Sequence, residues 1–233
     1  MPSIPGYVYA SKGNQLIVNL YMGNSSTIDL PKGEVSLVQE TRYPWDEAVQ
    51  LTIDPGKNKE FELLLRIPGW TRDEVMTGHL YHFLDKASEK YTIMVNGQLM
   101  EAQLQDGYAV IDRSWKKGDE VNLKLPLEPR RVAASDKVSA DSGRVAFECG
   151  PIVYCAEEAD NSIDIFTVER IPPDTKLNRS FENELLGGIP VISAWVPVSS
   201  SADTPSEAEL KLIPYHLWSN RGVGKMAVWL PAE

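Results

Sequence analysis

Short runs of alternating apolar and polar residues, each closed by a turn signal, recur along this sequence and limit what it can fold into. Residues 61–67 carry an apolar side chain at every second position and stop at Pro68-Gly69. Residues 92–95 run into Asn96-Gly97, which is among the strongest short-range signals for a β-hairpin. Because period-two alternation is the pattern of half-buried strands, we predict an all-β fold of mainly antiparallel strands.

The turn spacing predicts a β-sandwich architecture with little helix. A length of 233 residues is enough for one large domain or two modest ones. The best helix candidate is residues 72–90, where apolar side chains are loosely spaced between two predicted strands. Residues 199–207 are polar and are expected to form a surface loop.

Charge and composition exclude several classes of partner. The formal net charge is -10 and the pI is about 4.9, whereas phosphate binding needs clustered Lys and Arg. We therefore predict neither nucleic-acid binding nor docking on an anionic membrane. No run approaches the roughly 18 apolar residues of a membrane span, and no leader peptide is recognisable. The abrupt start suggests part of a longer protein, so periplasmic or secreted and cytoplasmic locations both stay open.

Two cysteines and three histidines are the candidates for metal or thiol chemistry. Cys149 and Cys155 would lie roughly 20 Å apart on an extended segment, too far for a disulfide. We interpret both as buried free thiols. His79 and His82 would share one face of the candidate helix, and His216 is the remaining histidine. Zinc needs three or four converging ligands, so we expect no metal site in this chain.

Acidic residues give no clear catalytic pair either. Glycoside hydrolysis needs two carboxyl groups at a set spacing, but the chain has 33 acidic residues and most should be solvated, Glu157 and Glu158 among them. No nucleophile-elbow, phosphate-loop or dinucleotide motif occurs. We therefore expect no complete catalytic site within this chain.

Aromatic residues offer a binding function instead. Trp70, Trp115 and Trp218 lie at or near predicted strand ends, where binding residues gather. Their rings could stack on sugars, because an indole combines an apolar face with a polar edge. The alternative, which we favour, is that they cap the sandwich core or seal a domain interface.

An ordered series of phrases resembles the C-terminal half of glycoside hydrolase family 127, the β-L-arabinofuranosidases, and of the related family 146. The resemblance covers nearly the whole chain. The phrases include Pro5-Gly6-Tyr7-Val8-Tyr9, Arg66-Ile67-Pro68-Gly69-Trp70, Gly143-Arg144-Val145-Ala146, Gly150-Pro151-Ile152-Val153-Tyr154-Cys155 and Trp218-Ser219-Asn220-Arg221-Gly222.

The resemblance implies a longer parent protein with an N-terminal (α/α)6-barrel catalytic domain followed by β-sandwich domains. It implies that this chain is the middle and C-terminal sandwich portion, with the family's end near Met226–Leu230. On this basis we place the first β-sandwich domain at residues 1–158, ending after the strand that follows Gly150-Pro151, and the second at residues 159–233. The family's nucleophile is a cysteine held on zinc within a Cys-Cys-Pro motif, which would lie before Pro5, and its acid/base glutamate lies further upstream. Cys149 and Cys155 do not match that motif.

The expected function is therefore non-catalytic support of a retaining hydrolase that acts on β-L-arabinofuranosides of plant glycans. The expected partner is the helical barrel of the same parent chain, with an oligosaccharide as a second candidate. Zinc would be a cofactor of the parent and not of this chain. Two alternatives are a carbohydrate-binding module that uses Trp70, Trp115 or Trp218, and an interdomain scaffold with an exposed apolar patch.

Overall fold

The computed structural model describes residues 3–199 and 206–232, and most of their regular structure is β-strand. The predicted polar loop at 199–207 lies largely outside the described residues. In chain order, the strands are β1 Tyr9–Lys12, β2 Gln15–Val18, β3 Asn24–Leu30, β4 Gly33–Thr41, β5 Ala48–Asp54, β6 Glu60–Arg66, β7 Tyr81–Phe83, β8 Thr92–Val95, β9 Gln98–Met100, β10 Gln103–Gln105, β11 Tyr108–Ser114, β12 Asp119–Lys124, β13 Pro129–Ala134, β14 Arg144–Cys149, β15 Ile152–Glu157, β16 Asn178–Glu182, β17 Ile189–Val198, β18 Ser206–Pro214, β19 Met226–Ala227 and β20 Leu230–Pro231.

Helical structure in the described residues is limited to single 3-10 turns, which confirms the predicted all-β class. These turns are Ile4–Tyr7, Gly69–Arg72, Ser139–Asp141, Glu158–Asp160, Ile165–Thr167 and Tyr215–Leu217. No helix within residues 3–199 and 206–232 has the length and apolar character needed to cross a bilayer.

The helix predicted at residues 72–90 is wrong. Asp73 and Gly78 have φ angles of 60° and 107°, which a right-handed helix cannot accommodate. Residues Tyr81–Phe83 form β7 instead, which pairs antiparallel with β13. The loose apolar spacing reflected an irregular segment that gains its hydrogen bonds from a neighbouring strand.

The first compact unit comprises Met1–Thr71 and Glu89–Pro126 and contains two sheets. A five-stranded sheet has the order β1-β2-β6-β11-β10, and a six-stranded sheet has the order β3-β4-β5-β12-β8-β9. Neighbouring strands are antiparallel except β2 and β6, which are parallel. Along β4 and β5 buried side chains alternate with more exposed ones, so one face of the sheet supplies the core.

Turn chemistry fixes the register of the hairpins in the first unit. Asn96 and Gly97 have φ angles of 52° and 77°, as the two central residues of a type I′ turn require. Val95 and Gln98 are therefore directly paired across β8 and β9. The hairpin predicted at Asn96-Gly97 is confirmed.

The second compact unit comprises Arg72–Ser88 and Leu127–Glu233 and is built on a nine-stranded sheet. Seven strands follow the order β16-β17-β18-β15-β14-β13-β7, and β19 and β20 pair with β15 and β14. A buried cluster of Cys155, Ile189, Val191 and Ile213 forms part of its core.

The C-terminal segment completes this sheet by pairing with β14 and β15 where these two strands no longer pair with each other. The two strands pair only through residues 147–149 and 152–154. Beyond that point residues 144–145 pair with β20, and residues 156–157 pair with β19. Residues 226–231 therefore pair first with β15, through β19, and then with β14, through β20. These pairings satisfy backbone N–H and C=O groups of β14 and β15 that would otherwise form two open strand edges.

Replacing Leu230 with alanine should lower the free energy of unfolding of the second unit by about 2–3 kcal/mol. Leu230 is buried and pairs with Val145, and we expect the lower part of the usual range because a two-residue strand can relax into the cavity. Denaturant unfolding followed by circular dichroism measures this. Val223→Ala is the matched control, since Val223 is fully exposed and its loss should change little. Equal effects of the two substitutions would contradict the role of β20.

The last boundary between the two compact units lies between residues 126 and 127, whereas we placed the domain boundary at Glu158. The reason is hydrogen bonding: β14 and β15 pair with β13 on one side and β18 on the other. A cut at residue 158 would therefore separate neighbouring strands of one sheet.

Candidate functional site

Trp115 is a core residue of the first unit. It has no exposed surface, its ring stacks on Phe61 with centroids 5.5 Å apart, and its indole Nε1 donates a hydrogen bond of 3.0 Å to the Phe61 carbonyl. A ring without an exposed face cannot stack on a sugar. Of the two roles considered for Trp115, the structure supports packing in the sandwich core and not stacking on a sugar.

Trp70 is also largely buried, at 8% exposure, within the 3-10 turn that follows β6. Burial raises the pKa of the neighbouring Tyr43 to about 12, and the interaction with the Trp70 side chain lowers it in part. Trp70 therefore offers little surface to a ligand, and its role at a domain interface stays a prediction.

Trp218 is the sequence candidate whose ring is substantially exposed. It follows the last 3-10 turn of the second unit and stacks on Tyr215, with ring centroids 6.5 Å apart and planes inclined by 25°. Trp218 is 38% exposed and Tyr215 is 43% exposed. The structure thus brings one predicted aromatic together with a second ring that the sequence analysis did not single out. We call these two rings the aromatic pair.

The loop at residues 215–225, which carries the aromatic pair, is fastened by a charged cluster. The Arg221 guanidinium donates hydrogen bonds of 2.5 Å to Glu157 Oε2, Asp160 Oδ1 and Asp160 Oδ2. The second Glu157 oxygen accepts the backbone N–H of Ser219 at 3.1 Å. The carboxylate side chains are only 4% and 3% exposed. Glu157 was expected to be solvated, and that expectation is wrong.

Further contacts hold the rest of this loop. Lys225 pairs with Asp164, and its backbone N–H donates to Glu158 Oε2 at 3.0 Å. Ser219 has a φ of 64°, an unusual value for a residue with a side chain. Such a backbone persists only where its surroundings fix it, so this loop is a rigid support.

The signal that could have revealed the cluster lies in the Trp218-Ser219-Asn220-Arg221-Gly222 phrase. An arginine inside a polar turn gives no indication of its partners, because Glu157 and Asp160 are 64 and 61 residues away. Only the pairing of β15 with β18 and β19 brings these segments together.

The cysteines have the character of structural thiols. Cys149 and Cys155 are both buried and neither forms a disulfide, as predicted from their spacing. Burial raises the pKa of Cys155 to about 12, and the negative charges of Glu157 and Asp160 raise it further against the charge of Arg221. A thiol in that state does not form the thiolate that nucleophilic attack or metal binding needs.

The three histidines do not converge on one site, and the described residues form no metal-ligand group. His79 and His82 do not share a helix face, because residues 81–83 are strand, and they line an open cavity of about 500 Å³ with the irregular residues 73–78. His216 lies in the 3-10 turn beside the aromatic pair. Within residues 3–199 and 206–232, no three His, Cys, Asp or Glu side chains converge to hold a metal ion. The described residues therefore do not fit the zinc site of the resembled family.

One carboxyl group of the second unit has a strongly shifted pKa. Burial raises the pKa of Glu148 to about 7, and the positive charge of Arg130, its cross-strand partner, lowers it in part. Arg130 itself pairs with Asp73 at 2.7 Å and lies over the Phe83 ring. Glu148 therefore belongs to a packed strand environment, in which its cross-strand partner Arg130 is also paired with the Asp73 carboxyl group.

Glu148→Gln should stabilise the second unit above about pH 7, by on the order of 1 kcal/mol after solvent screening is considered. The pKa of Glu148 in the folded state, about 7, exceeds its ordinary value of 4.5, so between these two pH values the folded state binds more protons than the unfolded state. The free energy of unfolding therefore falls as pH rises from about 4.5 to 7. Thermal unfolding of both proteins across this range measures it, with exposed Glu207→Gln as control. Parallel pH profiles of Glu148→Gln and wild type would refute the assignment.

Comparison with known proteins is consistent with these observations. Residues 15–127 match the family described as "Beta-L-arabinofuranosidase, GH127 middle domain", and residues 129–231 match "Glycoside hydrolase family 127 C-terminal domain". The chain is 28% identical over 245 aligned residues to a non-reducing end β-L-arabinofuranosidase of Bifidobacterium longum, covering 97% of the chain and 35% of that enzyme.

Two solved structures share the fold. One, described as a GH127 β-arabinofuranosidase, is 43% identical with a TM-score of 0.94 over 100% of this chain and 37% of its own. The other, a GH127 β-L-arabinofuranosidase from Geobacillus stearothermophilus T6, is 34% identical with a TM-score of 0.85 over 99% of this chain and 36% of its own. The chain thus spans about a third of the length of the relatives it matches.

Proposed function

Because this chain belongs to glycoside hydrolase family 127, as its middle and C-terminal domains, we propose that it is the non-catalytic β-sandwich portion of a longer β-L-arabinofuranosidase. The activity of the longer protein is inferred from the names of the relatives, each of which is about three times as long as this chain. Plant glycans that carry β-L-arabinofuranosides are the proposed substrates of that protein.

The observation that carries the non-catalytic assignment is the state of the chemically reactive side chains. The two cysteines are buried within strands, and the pKa of Cys155 is raised to about 12. The most buried carboxylates, Glu157 and Asp160, are neutralised by Arg221 and fasten a loop. These four side chains are thus engaged in folding.

The proposed role is mechanical support of a catalytic domain elsewhere in the parent protein. A reacting group must be held within a fraction of an ångström, so a rigid neighbour contributes to catalysis without touching the substrate. Two compact β-units with hydrogen-bonded registers are suited to that task. The proposed partner is the helical barrel of the same parent chain, and zinc is proposed to bind there.

A zinc titration tests whether zinc binds outside this chain. The 233-residue chain, reduced and equilibrated with a small excess of zinc, should retain far less than about one ion per molecule after dialysis. Cys155→Ser should behave identically, because the buried thiol is not a ligand. One tightly held zinc ion per chain that disappears in Cys155→Ser would overturn the proposal.

A carbohydrate-binding function is the second candidate, and a specific observation favours it. The aromatic pair of Tyr215 and Trp218 is exposed on a rigid loop in the second unit.

A further inference from the structure

We propose that the aromatic pair, Tyr215 and Trp218, is a stacking platform for a neutral arabinofuranosyl oligosaccharide. The choice of sugar rests on the proposed function, whereas the platform itself rests on the geometry of the loop. Both rings are about two-fifths exposed, and they lie 6.5 Å apart with planes inclined by only 25°.

The loop holds these rings in place before any ligand arrives. Glu157 and Asp160 are buried and bind the single guanidinium of Arg221, while the Ser219 backbone is fixed at a φ of 64°. Burying two carboxylates against one partly exposed arginine is costly and is a poor way to gain stability alone. A rigid loop does, however, reduce the ordering entropy that a ligand must overcome, which is the benefit of a preorganised site.

The charges around the loop favour a neutral ligand. Arg221 is committed to two carboxylates and Lys225 is paired with Asp164, so these two cations are already engaged. The chain as a whole carries a net charge of -10. Phosphorylated or carboxylated ligands would be repelled, whereas a sugar offers an uncharged C–H face to an aromatic ring and hydroxyl groups to the ring edges.

The size of the platform favours a small sugar over a protein partner. Two rings of this kind, each about two-fifths exposed, present on the order of 150 Å² of surface. A stable protein interface takes about 800 Å² from each partner. One or two sugar rings match the smaller area, and binding should accordingly be weak.

Isothermal titration calorimetry of the 233-residue chain with a β-L-arabinofuranosyl disaccharide tests the proposal, with maltose as the control sugar. We expect millimolar binding of the arabinofuranosyl disaccharide and none of maltose. Trp218→Ala and Tyr215→Ala should each weaken binding about tenfold or more. Trp195→Ala is the matched control, because Trp195 is 61% exposed on β17 and should leave the affinity unchanged. Circular dichroism confirms that each variant is folded.

The outcomes separate this proposal from the proposed function. An absence of disaccharide binding by the folded wild-type chain, or unchanged binding by both Trp218→Ala and Tyr215→Ala, overturns the platform and leaves the supporting role intact. Loss of binding in Trp195→Ala alone also overturns it. If both ring variants bind sugar normally but weaken the attachment of a catalytic domain, the pair is a protein-docking surface and the proposal is wrong.

Discussion

Replacing Arg221 with alanine is expected to lower the free energy of unfolding of the second unit by about 3–5 kcal/mol. The substitution leaves Glu157 and Asp160, with side chains 4% and 3% exposed, without their guanidinium partner. Two buried like charges then repel each other in a medium that screens them poorly. Chemical denaturation monitored by circular dichroism measures the loss at neutral pH.

Two comparisons sharpen this experiment. Arg170→Ala removes an exposed arginine of the same unit and should change the free energy of unfolding by less than about 0.5 kcal/mol. Adding Glu157→Gln and Asp160→Asn to Arg221→Ala should recover part of the stability, because no buried charge then lacks a partner. A cost for Arg221→Ala no greater than that of Arg170→Ala would show that the cluster does not fasten the loop.

Trp115→Ala is expected to destabilise the first unit by about 3–5 kcal/mol, the usual cost of emptying a large aromatic site. The indole is fully buried against Phe61, and its Nε1 hydrogen bond to the Phe61 carbonyl is lost together with the packing. Trp115→Phe should cost less, since a ring remains to fill much of the space. Denaturant unfolding of the first unit provides the measurement.

Leu99→Ala is the matched control, because Leu99 is 71% exposed in the same unit and its truncation should be nearly neutral. The experiment also separates the two interpretations of this tryptophan. A stable Trp115→Ala protein with altered sugar binding would contradict the core assignment.

Local turn chemistry explains why much of the fold could be predicted from the sequence. A type I′ turn requires positive φ at both central residues, and Asn-Gly is one of the preferred pairs, so Asn96-Gly97 marked its hairpin correctly. Asp106-Gly107 is another such pair and connects β10 to β11. The alternation at residues 61–67 indicated which side chains face the core, and Phe61, Leu63 and Leu65 of β6 are buried.

Long-range pairing explains what could not be predicted. Residues 72–90 contain apolar side chains at helix-like spacing, but β7 exists only because β13 is available beside it. The Arg221 cluster joins residues about 60 apart in sequence, so neither its burial nor its charge pairing has a local signature. The division at residue 126 likewise depends on which strands share a sheet.

The candidate site was predicted only in part, for the same reason. Trp115 and Trp218 are both aromatic residues near strand ends, yet one is buried and the other is exposed. Composition cannot distinguish these cases, because exposure depends on whether another strand or sheet covers the ring. Tyr215 became a candidate only through its position beside Trp218.

Hydrolysis of para-nitrophenyl β-L-arabinofuranoside by the purified 233-residue chain, in the presence of zinc and reductant, measures whether the chain is catalytic by itself. A variant carrying Cys149→Ala and Cys155→Ala serves as the matched control. We expect both proteins to release nitrophenol no faster than buffer does, while a full-length relative such as the Bifidobacterium longum enzyme is active under the same conditions. Turnover that copurifies with the wild-type chain and disappears in the double variant would show that the chain carries a catalytic site, against the non-catalytic role proposed above.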